Sequence, residues 1–250
     1  MIKRTMLGIS VAAAMGFGAA AMAAGGAHWS YEGEGGPENW GKLSHDFETC
    51  STGKEQSPID ISGAVVTSLD NVKVNYQPSP LKVKNNGHTI QVDYAPGSFI
   101  EVGGTKYNLL QFHFHTPSEE SIGGKRAPMV THFVHKTDDG KLGVIGLLMN
   151  EGAESGPMKA VFDNMPKEEG EQAVEGVMIN AADMLPKNLT YYNFPGSLTT
   201  PPCSEGVNWM VLANSTEISP QQVQAFKTIF PMNARPIQPV NGRVVKLDND

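Results

Sequence analysis

Short segments that alternate apolar and polar residues dominate the chain between residues 72 and 149. Residues 72–76 (VKVNY) and 81–84 (LKVK) show the period of two that is typical of a strand with one buried face. Glycine and asparagine separate such segments, as at residues 85–87 (NNG), where a tight turn requires them. The pattern therefore predicts a β-meander in this half of the chain.

Helical periodicity appears only in the second half of the chain. One helix is predicted at residues 157–165. A second is predicted after Ser219, whose hydroxyl can cap it, and its apolar side would carry Val223, Phe226, Ile229 and Phe230.

The remaining segments complete the predicted architecture. Residues 167–176 are polar and acidic, and we interpret them as a solvated excursion. Residues 197–202 are rich in Thr and Pro and predict a loop, and residues 207–212 predict the strand that follows. The fold class is therefore mainly β (α+β): a single domain built on a large, mostly antiparallel twisted β-sheet with short peripheral helices.

The first residues have the composition of an export signal. Lys3 and Arg4 precede an Ala/Gly/Met-rich stretch that ends at residues 21–23 (AMA), a small-x-small pattern that signal peptidases accept. A short membrane anchor is the alternative, but the stretch is weakly apolar and no stop-transfer charges follow it. We interpret residues 1–23 as a signal peptide and residues 24–250 as the mature domain, exported most simply to a periplasm. No later apolar run approaches the roughly 20 residues of a membrane span.

The charge of the chain disfavours one class of partner. Lys3 and Arg4 are the only charged residues of the leader, so its removal changes the formal net charge from −7 to −9. An acidic chain of this kind lacks the positive surface that nucleic acids require. About 225 residues remain, which suits one large domain with a substantial core.

The chain contains two cysteines, Cys50 and Cys203. Thiols of exported proteins are usually oxidised, so we expect one disulfide between them. A metal pair or two free thiols are the alternatives, but neither cysteine has a second Cys or a His at ligand spacing beside it.

Histidines concentrate in two predicted strands. At residues 111–115 (QFHFH), His113 and His115 project from the same face, so that two imidazoles can reach one metal. An ordinary pair of surface or core histidines is the alternative. In the second strand His132 and His135 are three residues apart and face opposite sides, and periodicity does not say which of them joins the site. Three imidazoles with an open fourth position are typical of catalytic zinc.

Six motifs in this chain resemble those of the α-carbonic anhydrase family, in the family's order. They run through nearly the whole mature chain, from about His28 to Arg243. The likeness is greatest to exported bacterial members, in which a cysteine of the first segment pairs with one just after the double-proline loop, as Cys50 and Cys203 would. The motifs are residues 36–40 (GPENW), 56–61 (QSPIDI), 85–88 (NNGH), 111–115 (QFHFH), 194–202 (FPGSLTTPP) and 235–239 (RPIQP).

The resemblance implies a zinc enzyme that hydrates carbon dioxide reversibly to bicarbonate and a proton. Its zinc ligands (Zn2+) would be His113, His115 and His132, and the nucleophile would be a zinc-bound hydroxide. The family places Thr199 against this hydroxide and Glu119 behind Thr199. An ionised carboxylate only accepts hydrogen bonds, so Glu119 would take the Thr199 hydroxyl hydrogen and thereby orient the nucleophile.

The resemblance also implies a proton path and a substrate pocket. His88 matches the family's proton shuttle, because an imidazole titrates near neutral pH. Tyr31, Asn86 and Gln91 match positions that hold the connecting waters, although Asn is common at position 91, and Gln111 matches the residue that supports the first zinc histidine. The implied substrate-binding residues are Thr199, Thr200, Val134, Val144, Leu198, Val207 and Trp209. For Val207, ordinary core packing is the alternative.

The chain departs from the family at three neighbouring positions. Val130 stands where a glutamate usually accepts from the third zinc histidine, Glu120 stands where a histidine is usual, and Phe194 replaces a tyrosine. We hypothesise that the changes compensate one another: Glu120 supplies the missing carboxylate to His132, and Phe194 leaves no hydroxyl unpaired. In the alternative, Glu120 is a solvated loop carboxylate and His132 bonds to backbone or water.

Two other functions fit the same fold. One is a zinc-dependent esterase, since a zinc hydroxide attacks activated carbonyls, and the other is a catalytically silent binding module. A homodimer is expected by analogy with exported bacterial relatives.

Overall fold

The computed structural model describes residues 27–249, so the predicted signal peptide lies outside the described residues. The helices are α1 (Trp40–Leu43), α2 (Thr49–Thr52), α3 (Gly156–Phe162) and α4 (Pro220–Lys227), with 3₁₀ turns at Gly33–Gly35, His45–Phe47 and Ala181–Met184. The strands are β1 (Asp60–Ile61), β2 (Val65–Thr67), β3 (Lys73–Asn75), β4 (Ser79–Asn85), β5 (Ile90–Asp93), β6 (Phe99–Val102), β7 (Thr105–His115), β8 (Ser121–Ile122), β9 (Lys125–Arg126), β10 (Met129–Lys136), β11 (Leu142–Glu151), β12 (Gly170–Ile179), β13 (Tyr191–Ser197), β14 (Glu205–Leu212), β15 (Thr216–Ile218) and β16 (Lys246–Asp248). The prediction of a mainly β fold with short helices is confirmed.

Thirteen of the strands within residues 27–249 form one sheet. Its main path runs β12-β4-β5-β7-β10-β11-β14-β13-β16-β2, and β6 joins β7 while β3 joins β6. Most neighbours are antiparallel, and the parallel pairs are β11 with β14, β11 with β15, and β16 with β2. Strands β3 to β11 lie in the stretch of the chain where the alternating pattern predicted strands; of these, β8 and β9 form a separate three-stranded sheet with β1.

The central strands β7 and β10 carry two different faces. One face is packed into the main core, where Phe112, Phe114 and Phe133 are fully buried. The opposite face of β7 carries His113 and His115, because successive side chains of a strand alternate. Burial of the aromatic face fixes which way the histidines point.

The two longer helices agree with the predictions in position. Ser219 caps α4 through a capping box in which its hydroxyl accepts from the backbone N–H of Gln222. The helix ends at Lys227, so Ile229 and Phe230 lie beyond it, yet both still pack against the core. None of the helices within residues 27–249 has the length and apolar character needed to cross a membrane.

The interpretation of residues 167–176 as a solvated excursion is wrong in part. Gly170–Ile179 is strand β12, which pairs antiparallel with β4 at one edge of the sheet. Most of its side chains are exposed on both faces. An edge strand of this kind needs no apolar alternation, so its sequence carries no strand signal.

The expected disulfide between Cys50 and Cys203 is present. It joins α2 to the loop that follows β13, where the backbone N–H of Cys203 donates to the carbonyl of Thr200 at 2.8 Å. The disulfide therefore ties the loop that carries Thr199 and Thr200 to the N-terminal part of the domain.

A single asparagine connects three separate parts of the chain. Asn233 is fully buried, and its side-chain oxygen accepts from the backbone N–H of Thr116 at 2.8 Å. Its amide donates to the carbonyls of His88, at 3.1 Å, and Phe114, at 3.0 Å. The end of β7 and the turn before β5 are thus held by one side chain.

Removal of the disulfide should lower stability substantially. The cysteines are 153 residues apart, and in a chain-entropy account closure of so long a loop stabilises the fold by about 4–5 kcal/mol. We expect the Cys50→Ser/Cys203→Ser variant to lose about that much free energy of unfolding in urea, followed by tryptophan fluorescence. Wild-type protein reduced with dithiothreitol is the matched comparison. An unchanged free energy of unfolding in both samples would contradict the expectation.

Asn233→Ala should also destabilise the fold. It removes two buried hydrogen bonds and one partly buried hydrogen bond and leaves backbone partners without a replacement, so we expect a loss of about 2–4 kcal/mol in the free energy of unfolding. Asn214→Ala, which removes one exposed bond to the Asn188 carbonyl, is the matched control and should stay within about 0.5 kcal/mol of wild type. Equal effects of the two substitutions would show that Asn233 is not a structural link.

Candidate metal centre and active site

Three of the predicted histidines converge on one face of the sheet. The β7–β10 register places His113 opposite His132, and His115 lies two residues further along β7. One nitrogen from each of the three rings lies within 4.8 Å of the other two. His135 lies on the opposite face, where its Nε2 is 2.6 Å from the Tyr76 hydroxyl. Of the two histidines of β10, His132 is therefore the one that joins the cluster.

Hydrogen-bond acceptors orient the two histidines of β7. His113 Nδ1 lies 2.8 Å from Gln111 Oε1, and His115 Nδ1 lies 2.7 Å from the carbonyl oxygen of Asn233. Because an oxygen acceptor requires an N–H, both rings carry their proton on Nδ1. The Nε2 lone pairs are left to face the cluster, as a metal ligand must.

The third histidine is oriented by a carboxylate from another segment. Glu120 is fully buried, and its two oxygens lie 3.1 and 3.2 Å from His132 Nε2. His132 Nδ1 is the nitrogen that faces the cluster. The departures from the family pattern are accommodated: Val130 packs in a small apolar cluster, and Phe194 stacks on Trp209 with a centroid distance of 6.2 Å. Glu120 is not solvated, in contrast to the alternative considered for it.

The donor set fits a metal cation. Burial, followed by the charge of His132, lowers the pKa of His113 to about 3, and the same two causes lower the pKa of His115 well below its usual value. Both rings are thus in the neutral form that binds metal. His115 Nε2 is buried without a hydrogen-bond partner, and so is Glu119 Oε2, 3.4 Å away. Three imidazoles, with no fourth protein nitrogen or sulfur ligand in the cluster within residues 27–249, match the donor set of catalytic zinc.

The pKa of His132 depends on the two carboxylates next to it. Burial alone would lower its pKa, but the charge and hydrogen bond of Glu120 and the charge of Glu119 outweigh burial and raise it. A bound cation would replace the proton that these two carboxylates otherwise attract.

Glu119 lies fully buried behind the cluster. The backbone N–H of Arg235 donates to its Oε1 at 2.8 Å. Burial raises the pKa of Glu119 to about 7, and the charge of Glu120 adds to this increase. The charge of His132, the interaction with Thr199 and the backbone hydrogen bond of Arg235 all lower the pKa in part. Thr199 therefore lies close enough to Glu119 to favour its ionised form, as the family pattern implies.

A cavity of about 130 Å³ opens beside the histidines. It brings together most of the polar residues that the sequence singled out, although they come from four different segments. Its lining consists of Trp29, Tyr31, Asn86, His88, Thr89, Gln91, Gln111, His113, His115 and Thr200.

The turn before β5 presents His88 to this cavity. Asn86 Oδ1 accepts from the backbone N–H groups of His88, at 3.0 Å, and Thr89, at 2.9 Å, and this closes the turn. Gln91 lies 3.5 Å from the Asn86 amide and donates to Asp93. Asn86 thus has a structural role in addition to the predicted one.

The predicted apolar wall forms a second core cluster. Trp209 connects it to the histidines, since its ring centroid lies 4.9 Å from that of His132, and Leu198 connects it to Thr199 in sequence. Its members include Val134, Val144, Leu198, Val207 and Trp209.

Three residues of the site had no role in the sequence analysis. Trp29 stacks on His88 with a centroid distance of 3.6 Å and an interplanar angle of 10°. Asn233 supports His115 through a backbone carbonyl, for which no sequence signal exists. Arg235 begins the RPIQP motif, and its buried guanidinium donates to the carbonyls of Cys50 and Ser57. Only the last of these had a signal, in the motif itself.

Comparison with known proteins agrees with this geometry. The family model for eukaryotic-type carbonic anhydrases matches residues 35–249. A carbonic anhydrase of Neisseria gonorrhoeae is 46% identical over 220 residues, with 87% of each chain covered, and one of Nostoc sp. is 43% identical over 224 residues, with 87% of this chain and 85% of the relative covered.

A solved structure shows the same fold. It is a hyperthermostable carbonic anhydrase identified from an active hydrothermal vent chimney, with a TM-score of 0.86 and 44% identity, and 89% of this chain and 100% of that chain are covered. The chain therefore belongs to the eukaryotic-type, or α-class, carbonic anhydrase family and is an enzyme of that family.

Proposed function

We propose that the chain catalyses the reversible hydration of carbon dioxide to bicarbonate and a proton at a zinc ion held by His113, His115 and His132. The observation that carries the proposal is the convergence of three oriented imidazole lone pairs, with His115 and His132 buried and His113 partly buried, beside the cavity that contains His88. When bound, zinc is known to bring the pKa of a water ligand near neutrality, with carbonic anhydrase as the standard example, and so supplies a hydroxide nucleophile.

Thr199 and Glu119 would orient this nucleophile. An ionised Glu119 accepts the hydroxyl hydrogen of Thr199, which leaves the Thr199 oxygen to accept a hydrogen bond from the attacking group. The Arg235 backbone N–H donates to Glu119 Oε1 at 2.8 Å and holds the carboxylate in place. A fixed acceptor of this kind reduces the reorganisation needed during attack.

His88 would carry the released proton to solvent. It lines the same cavity as His113 and also lines the larger opening of about 410 Å³. Tyr31, Asn86 and Gln91 line the cavity with them and offer hydroxyl and amide groups to bridging waters.

The apolar cluster around Trp209 would receive carbon dioxide, which is uncharged and a poor hydrogen-bonding partner. Leu198, Val134, Val144 and Val207 belong to that cluster, and Thr200 faces the cavity from the same loop as Thr199. Glu120 would hold His132 in the orientation that zinc requires, as Gln111 does for His113.

We also infer that residues 1–23 are a signal peptide and that residues 24–250 are exported, most simply to the periplasm. The disulfide supports this inference, because disulfides persist mainly in oxidising compartments. A homodimer stays a prediction.

The first test measures reaction and metal together. We expect the purified mature chain to contain one equivalent of zinc by elemental analysis and to hydrate carbon dioxide in a stopped-flow assay. Removal of zinc with a chelator should abolish hydration, and readdition should restore it. Zinc with ester hydrolysis but no hydration would favour the esterase, and absence of both zinc and hydration would favour the silent binding module.

Glu120→Gln tests the proposed support of His132. The substitution preserves shape but removes the charge that faces His132 Nε2, so we expect zinc affinity to fall by roughly 10- to 100-fold in a competition with a chromogenic chelator. Glu168→Gln, which changes an exposed carboxylate, is the control and should bind zinc as the wild type does. Wild-type zinc retention by the Glu120 variant, with its fold verified by circular dichroism, would exclude the role.

A further inference from the structure

The segment before β12 lies against the turn that carries His88. Gly170, the first residue of β12, pairs with Asn85 at the end of β4. The Asn85 side chain also donates to the carbonyl of Pro166 at 3.0 Å. These contacts hold residues 166–170 beside the turn, although the sequence analysis predicts no function for them.

The side chain of Glu169 lies against Gly87, the residue that precedes His88. A Cβ added to Gly87 would lie 2.6 Å from Glu169 Oε1 and 3.0 Å from the carboxyl carbon. The carboxylate is therefore packed on the backbone of the residue directly before His88. Gly87 has φ +83, so the turn requires glycine for its conformation as well as for this close contact.

The charged and titratable groups around His88 come from two segments. His28, Glu32 and the Tyr31 phenol belong to the N-terminal segment, and Glu169 belongs to the segment before β12; all of them line the opening of about 410 Å³ together with His88. Burial lowers the pKa of His88, and the charge of His28 lowers it further, whereas Glu169 raises it. Glu169 is therefore the group that counteracts burial. Tyr31 stays uncharged, since burial and then the charge of Glu119 raise its pKa well above the usual value.

We propose that Glu169 is a positioning residue for His88: its carboxylate, set against Gly87, attracts the protonated imidazole at the cavity mouth and favours proton transfer to His88. A proton carrier works best when its pKa is near that of the group it serves, so a loss of basicity at His88 would slow the transfer. One exposed carboxylate a few ångströms away changes a pKa by about half a unit in water. The inference rests on the proposed function, because it assumes that His88 carries the proton.

The first experiment does not depend on activity. The pKa of His88 is measured by NMR titration of the zinc-loaded mature protein, and His88→Ala assigns the resonance. We expect Glu169→Gln to lower the pKa of His88 by about half a unit and the neighbouring Glu168→Gln to leave it unchanged. An unchanged pKa in the Glu169 variant, or an equal shift in both variants, would overturn the proposal.

The second experiment separates proton transfer from the chemical step. In carbon dioxide hydration we expect Glu169→Gln to lower kcat about two-fold, to leave kcat/KM unchanged, and to have no effect in a His88→Ala background. Added imidazole buffer should restore kcat. A matching loss in kcat/KM would indicate a structural effect and count against the proposal. If the wild type does not hydrate carbon dioxide, the proposed function fails, while the NMR titration still decides whether Glu169 acts on His88.

Discussion

The pairing of β7 with β10 is the constraint on which the site depends. Its register sets His113 opposite His132 and Val130 opposite His115, so that both strands present imidazoles to one side. The phenylalanines of the same strands fill the core on the other side. A slip of one residue would exchange the two sets and bury histidines in the apolar core, and the burial of three aromatic rings therefore also specifies the position of the metal ligands.

Correct placement of the histidines would not be enough without their acceptors. Gln111 comes from β7, Asn233 from the chain after α4, and Glu120 from the segment before β8, and each of them fixes a different ring. Arg235 adds a further link, since its backbone holds Glu119 and its side chain holds the segment around Ser57. The orientation of the donors thus depends on parts of the chain more than 100 residues apart, which makes the site a property of the whole domain.

The sequence predicted those features that follow from local pattern or from motif. The alternating segments from residue 72 onward are strands, and Ser219 caps a helix, because side-chain period and capping chemistry are local. Strand β12 was not predicted, since an exposed edge strand has no apolar period. The parallel pairs of β11 were not predicted either, because strand order depends on the path of the chain and not on its period. The stacking of Trp29 on His88 and the carbonyl of Asn233 are contacts between distant segments that no single residue type indicates.

Glu120 contributes a negative charge to the buried site, and that charge needs compensation. Two adjacent carboxylates, Glu119 and Glu120, are fully buried in the same site, an arrangement that is unfavourable unless a positive charge compensates it. His113 and His115 are neutral and supply none. Burial raises the pKa of Glu119, and the two carboxylates raise the pKa of His132, so both groups hold a proton more readily than usual. A divalent cation held by the three rings would offset both carboxylates. Val130 contributes no charge from β10, so the carboxylate that faces the cation comes from position 120 on another segment. The bound metal, the acceptors of its ligands and the burial of the site therefore depend on one another.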